Sequence, residues 1–260
     1  MAVPQDAAPP AVVAETFPDL PTALKASIPA DARVVGFGEL HVRTDRKQVT
    51  STLARFTADA LPAIADQVSD LIVETWIADP KCGQQATTAT AKVEMTVRRP
   101  QETKSEIALL AEAAKAAKIQ PHAMKLSCAD YDKFAPKDGE VDPGILLTLT
   151  TKELGRIAGE AVVHRDKKAD KRPWIALYGG AIHNDRFPVA GVEDWSYAAQ
   201  VDTVTKNHFV EIDLIVPEIA ELEESWRKQP WFGLVVNADD KVHVFKRGDR
   251  SFVFVLPKGK

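Results

Sequence analysis

Short apolar runs recur along this chain. Between them lie longer stretches in which apolar residues return every three or four positions. The runs read as buried strands and the stretches as helices laid over them. Pro21 to Ile28 reads as a short helix, and Arg33 to Gly38 as a first strand, apolar and β-branched. Thr44 to Ala60 has helical spacing, with Val49, Leu53, Phe56 and Ala60 on one face. Asp70 to Trp76 is a second strand. Ala78 to Arg99 is polar and weakly patterned, a loop or helical excursion able to cover a site. Glu102 to Lys118 is a helix. Ile119 to Leu126 is a third strand whose Pro121 suggests an edge or a strand start. After a loop from Ala135 to Gly144, Leu149 to Lys167 is a long amphipathic helix and Trp174 to Tyr178 a fourth strand.

Strands alternating with helices predict an α/β fold: a mostly parallel sheet with helices on both faces. The pattern changes after Pro188. His208 to Val216 reads as a strand and Glu218 to Lys228 as a helix. Phe232–Val236, Val242–Phe245 and Phe252–Leu256 read as three strands of a C-terminal antiparallel meander, with turns at Asn237–Asp240 and Lys246–Arg250. The predicted organisation is a flexible tether over residues 1–14 and a single α/β domain over 15–260, of which 205–260 is the strand, helix and meander extension.

The chain has 260 residues, 45% of them hydrophobic and 27% charged, enough to bury a full core. A net charge of −4 offers no basic field, so nucleic acid is not an expected partner. No apolar run approaches membrane-spanning length. Met1 to Val12 is rich in Ala and Pro and contains no basic start or apolar core of a signal peptide. It is the kind of segment that follows the cleavage site of an exported protein or lipoprotein. Export to the periplasm is therefore favoured slightly over the cytoplasm, with a membrane tether through a removed N-terminal segment. Cys82 and Cys128 pair if the chain is exported and stay free otherwise.

One motif occurs twice: Val34-Val35-Gly36-Phe37-Gly38-Glu39-Leu40-His41 and Ile175-Ala176-Leu177-Tyr178-Gly179-Gly180-Ala181-Ile182-His183. Each is an apolar strand, then glycine, then Gly-x-x-His. Glycine at a strand end suits a sharp turn and close approach of backbone to a ligand, and ligands of open α/β sheets sit beyond the carboxyl ends of the strands. The polar residues at those ends are Glu39 and His41, Glu74 with Trp76 after it, Lys125 or Ser127, and His183, Asn184 and Asp185. The loop after His41 adds Arg43, Asp45 and Arg46. Glu74 is the sharpest candidate, because a carboxylate after Leu71-Ile72-Val73 is costly unless paired. His122, His164, His208 and His243 read as structural or solvated. The charged run Arg165 to Arg172 reads as a solvated helix end. The tryptophans read as core or rim anchors, with Trp76 a possible wall of the site.

Gly38-Glu39-Leu40-His41, Val73-Glu74 and Gly180-Ala181-Ile182-His183 together resemble the erythromycin esterase/ChaN-like/Tiki-TraB superfamily. The first motif is most similar to that of the ChaN-like haem-binding lipoproteins. The resemblance spans Arg33 to Asp185 through short motifs. Its esterase branch implies His41 as a general base, Glu39 and Glu74 orienting it or the water, and His183 holding the substrate. Arg43 or Arg46 would be the arginine. Its peptidase branch implies His41, Glu74 and His183 as ligands of a divalent transition metal. Its haem branch implies His41 and His183 as cofactor-binding residues in iron uptake. Two departures stand out: no Arg-Asn signature precedes the second motif, and one residue separates Glu39 from His41 where the esterases usually have two.

Three function classes follow. The leading expectation is a hydrolase that activates water for attack on a small ester, lactone or amide. No Gly-x-Ser-x-Gly elbow suggests a serine nucleophile, and a metal-assisted variant shares the same residues. The second is a haem-binding protein, for which Tyr131, Tyr178 and Tyr197 are the tyrosines on offer. The third is a binding module without chemistry.

Overall fold

The computed structural model describes residues 14–44, 49–168 and 171–259. The N-terminal tether, except its last residue, lies outside the described residues. The elements run β1 (Glu15–Phe17), α1 (Leu20–Ser27), β2 (Val34–Glu39), α2 (Thr52–Arg55), a π turn (Phe56–Ala60), α3 (Leu61–Ile64), β3 (Val68–Trp76), α4 (Gly83–Val97), α5 (Glu102–Ala116), β4 (Gln120–Met124), α6 (Cys128–Phe134), α7 (Pro143–Lys168), β5 (Trp174–Gly180), α8 (Ala181–Asn184), α9 (Ala198–Thr205), β6 (Phe209–Ile215), α10 (Pro217–Ala220), α11 (Phe232–Val236), β7 (Val242–Gly248) and β8 (Ser251–Val255).

The strands form one eight-stranded sheet in the order β1-β7-β8-β6-β2-β5-β3-β4. The six strands from β8 to β4 are parallel to their neighbours, while β7 is antiparallel to both β8 and β1. This is the α/β fold expected, a mostly parallel sheet with an antiparallel part. Strand alternation feeds two cores. Val35, Phe37, Leu71, Val73, Ala176, Tyr178, Val210 and Ile212 pack with α1, α2, α3 and α5. Val34, Ile72, Ile175, Leu177 and Phe209 pack with α7 and α9. A parallel sheet covered on both faces needs such continuous apolar strands. Pro121 lies on β4, at the edge of the sheet, as its missing N–H requires.

Several elements differ from the sequence expectation. The helix expected from Thr44 begins at Thr52, because Ser51 caps it by accepting from the Ala54 N–H at 2.9 Å. Upstream, the Thr44 N–H bonds the Arg98 carbonyl instead, at 2.9 Å. Phe232–Val236 is a helix, not a meander strand. A five-residue apolar run fits either period, and here Val235 and Trp231 cover Ile215, Val253 and Val255 from the side. The meander is therefore a single hairpin, β7–β8, added alongside β6 and closed by the N-terminal β1. Glu218–Lys228 is no single helix but α10 followed by a 3-10 segment, Glu224–Lys228. β1, α6 and α9 were not anticipated; α6 begins in a capping box between Ser127 and Asp130. In the charged run, Arg165 is buried rather than solvated and donates to the carbonyls of Arg33 and Pro173. Cys82 and Cys128 form a disulfide that ties the start of α4 to the start of α6.

Candidate active site

The central strands β3, β5, β2 and β6 end side by side, and their last residues build the site. Gly38 lies opposite Gly179 on one side and Asp213 on the other, and Glu39 lies opposite Gly180. The motif glycines do not have positive φ; among described glycines only Gly83 and Gly191 do. Their need is space, not a turn. A Cβ on Gly179 would stand 2.7 Å from Glu74 Oε2, and one on Gly38 would collide with Asp213 Oδ1. The two motif copies are also not equivalent. His41 follows β2 in an extended loop, whereas Gly180 caps α8 and His183 sits on that short helix.

Glu39, His41, Glu74 and His183 come together. His41 Nδ1 is 2.8 Å from Glu39 Oε1, and Glu39 Oε2 accepts from the Tyr178 hydroxyl at 2.5 Å. The His41 proton partner is thus a carboxylate held on its far side, which leaves Nε2 facing the cavity. Nε2 lies 3.5 Å from Glu74 Oε1 and 3.3 Å from an Arg99 guanidinium nitrogen. Burial works against the imidazolium, but the Glu74 charge and the hydrogen bonds to Glu39 and Glu74 outweigh burial and Arg99, raising the His41 pKa to about 9.

His183 is nearly fully buried. Its Nδ1 lies 2.7 Å from Thr151 Oγ1 and 3.1 Å from the Trp195 carbonyl. Thr151 donates its own proton to that carbonyl at 2.8 Å, so the ring proton belongs on Nδ1. Nε2 then carries the lone pair and faces Glu74 Oε1 at 3.8 Å. Burial lowers the His183 pKa despite the nearby Glu74 charge, which keeps the ring neutral. Glu74 accepts the Gly180 N–H on Oε2 at 2.5 Å. Burial opposes its charge, yet the His183 and His41 rings and Arg99 hold its carboxyl well below the usual range.

These groups line a cavity of about 760 Å³. Trp76, Val93, Val97, Leu146 and Trp226 contribute apolar surface to its lining, and Glu94, Lys104 and Glu223 contribute charge. Trp76 is pinned by its indole N–H to Thr90 Oγ1 at 3.1 Å. The excursion from Ala78 to Arg99 does cover the site, as helix α4, and its last residue supplies the arginine that meets His41. Arg99 was not singled out in the sequence; the dibasic Arg98-Arg99 before Pro100, closing a segment expected to cover a site, was the available signal. Arg43 lines the cavity, and Arg46 lies outside the described residues. Asp185 lines it too, paired to Arg247 at 2.9 Å. Asn184 is buried beside Gly36, whose carbonyl it caps at 3.2 Å. Lys125 and Ser127 are not part of the lining; Ser127 caps α6. The three tyrosines lie outside the lining of this cavity as well. His122, His208 and His243 pair with Asp70, Asp31 and Asp239, away from the lining.

No family model and no curated protein matches the chain. Among solved structures it is similar to one described as "The structure of the type III effector HopBA1", with 14% sequence identity and a TM-score of 0.48 over 96% of this chain and 99% of that one.

His41 and Glu74 meet as an ion pair, with the neutral His183 ring beside Glu74. Among the described residues no group of three or more His, Cys, Asp and Glu side chains has the arrangement of a metal-ligand set. The geometry gives the reason: the Arg99 cation already stands 3.3 Å from His41 Nε2, where it would repel a second cation, and Glu74 Oε2 is committed to the Gly180 N–H.

Proposed function

We propose that this site hydrolyses a small ester, lactone or amide, with His41 as general base on water. The observation that carries the reading is the His41–Glu39 pair, a ring with one nitrogen fixed on a carboxylate at 2.8 Å and the other turned to the cavity. That is how a base is oriented for proton abstraction. In its neutral form His41 Nε2 takes a proton from water as the oxygen attacks the carbonyl carbon. Glu39, steadied by Tyr178, holds Nδ1–H and balances the imidazolium that forms. Arg99 stands beside Nε2, placed to donate to the oxyanion of the tetrahedral intermediate. His183 offers a lone pair at Nε2 and orients an O–H or N–H of water or substrate. On collapse, the His41 imidazolium returns its proton to the departing alkoxide or amine.

Other features support this reading. A cavity of about 760 Å³ that mixes apolar surface with polar groups converging on His41 suits a small molecule with an apolar body. The resemblance to the esterase branch implies the same parts for His41, Glu39 and His183, but Arg43 or Arg46 where Arg99 stands in this proposal. The Cys82–Cys128 disulfide supports an exported protein, since such bonds persist in oxidising compartments. Among the described residues no helix is long and apolar enough to cross a membrane.

The test is a panel of chromogenic esters, lactones and anilides, run on wild type and His41→Ala, alongside a haemin titration. The expected result is turnover that falls roughly 10²–10⁴-fold in His41→Ala while circular dichroism is unchanged. Turnover lost on dialysis against a chelator and restored by zinc would move the water onto a metal. No turnover of any substrate, with a Soret band saturating at one haem per chain, would replace the hydrolase by haem handling.

A further inference from the structure

The cavity extends along the carboxyl edge of the sheet, and the strand order gives its span. Trp76 is the last residue of β3. Trp231 belongs to one apolar cluster with Ile215 and Val255, the last residues of β6 and β8. Both tryptophans line the same cavity. From β3 to β6 the order is β3-β5-β2-β6, three inter-strand spacings or about 14 Å. His183 follows β5 and His41 follows β2, so the chemistry lies in the middle of that span rather than at one end.

Each end presents an indole that is braced by a second ring. Trp76 lies 6.5 Å from the Phe134 ring, and the Thr90 hydroxyl that accepts its N–H donates in turn to the Ala86 carbonyl at 2.8 Å. Trp226 lies 5.4 Å from the Trp231 ring at 85°, and Trp231 is 4% exposed. A side chain already fixed loses little freedom when a ligand arrives. Its remaining surface attracts a further ring in an offset or edge-to-face arrangement. The volume agrees with a ligand that reaches both ends: about 760 Å³ falls in the upper half of the range of roughly 300–1,000 Å³ for pockets that enclose drug-sized molecules. An ester with only a methyl group on one side of its carbonyl would leave one indole uncovered.

We propose that the substrate is an ester or amide bearing a ring on both sides of the scissile bond, one ring seated against Trp76 and the other against Trp226, with the carbonyl carbon between them at His41. Trp76 and Trp226 are then the residues that set specificity. The inference rests on the hydrolytic reading for the bond that breaks, and on the cavity alone for the two rings. Both rings lie away from the reacting atoms. Losing one contact therefore weakens substrate and transition state alike, and raises KM more than it lowers kcat.

The test separates binding from turnover. Calorimetric titration of the wild type compares two ketones that cannot be hydrolysed, 1,5-diphenylpentan-3-one with a ring on each side of the carbonyl and 4-phenylbutan-2-one with one. The two-ring ketone is expected to bind at least roughly tenfold more tightly, the worth of one good aromatic contact. Trp76→Ala and Trp226→Ala should each remove about that factor from the two-ring ketone. The one-ring ketone should respond to only one of the two substitutions. Trp226→Phe, which keeps a ring, should recover most of the loss. Equal affinity of the two ketones for the wild type would overturn the proposal, and that comparison stands even if a variant fails to fold. So would an affinity for the two-ring ketone that neither alanine variant changes while circular dichroism stays native. Kinetics then follow benzyl 3-phenylpropanoate against benzyl acetate, with the two-ring ester expected to have the lower KM. Tight binding of the two-ring ketone without turnover of either ester would count against the hydrolase alone. Turnover of both esters with equal KM and equal ketone affinities would count against the two-ring substrate alone.

Discussion

His41 is where single residues decide most. In the proposed mechanism it acts as the neutral ring, and its pKa is raised to about 9, so the base accumulates as pH rises through that value. We therefore expect kcat/KM to climb with pH toward a plateau above about 9. Glu74 raises the His41 pKa and Arg99 lowers it. Glu74→Gln should move the limb to lower pH, and Arg99→Met should move it higher, whatever either does to the plateau. Matching limbs in all three proteins would show that His41 is not the titrating group. Glu39, His41, Glu74 and His183 were legible because each is polar at the end of an apolar run. Tyr178 was hidden as one more apolar residue of β5. Asp213 carried the same signal as Glu74, an acid inside the run Phe209–Ile215, and was overlooked with Glu211 beside it.

At the scale of elements, α4 joins the wall of the cavity to the chemistry. It carries Val93 and Val97 into the lining and leads directly to Arg99, while its first residue follows Cys82. Ala86, Ala89 and Val93 pack with Tyr131, Phe134 and Leu146, so the disulfide and a small apolar cluster hold the helix in place. The Cys82–Cys128 link closes a sequence separation of 46, for which the chain-entropy model gives about 4 kcal/mol. Replacing both cysteines by serine should lower stability by up to about that amount. It should also reduce turnover more than a core substitution of equal cost remote from α4, because Arg99 rides on the loosened helix. Denaturant curves and kinetics on both variants check this. Strands β2, β3 and β5 were readable because both faces of each are buried and the apolar runs are unbroken. Phe232–Val236 was not, since five apolar residues specify burial but no period. The start of α2 was misplaced because apolar spacing continues through Val49, and only the Ser51 cap says where the helix begins.

For the molecule as a whole, Arg247 joins the C-terminal hairpin to the parallel sheet. It reaches from β7 to Glu211 on β6 and Asp185 beyond α8, with its guanidinium 5.4 Å from the Phe187 ring. Arg247→Met would leave Glu211 buried without its countercharge, at a cost of about 3–5 kcal/mol. The cost should be smaller at pH 5 than at pH 8. Burial already raises Glu211 to about 6 with the arginine present, and without it the carboxyl takes up a proton more readily still. Urea denaturation at the two pH values measures the difference, and equal losses would place the contribution of Arg247 in packing rather than charge.

The strand order also governs how copies of this protein can meet. An open sheet presents unpaired backbone along its outer strands and so invites another chain to extend it. Here one outer strand, β1, is only three residues long. The other, β4, carries Pro121, which has no N–H to offer, and the Pro121 carbonyl is already taken by the Gln120 side chain at 3.2 Å. A neighbouring strand arriving at that position finds neither donor nor free acceptor. Growth into ribbons or fibrils along the sheet is therefore opposed at the longer of its two margins, at the position of Pro121.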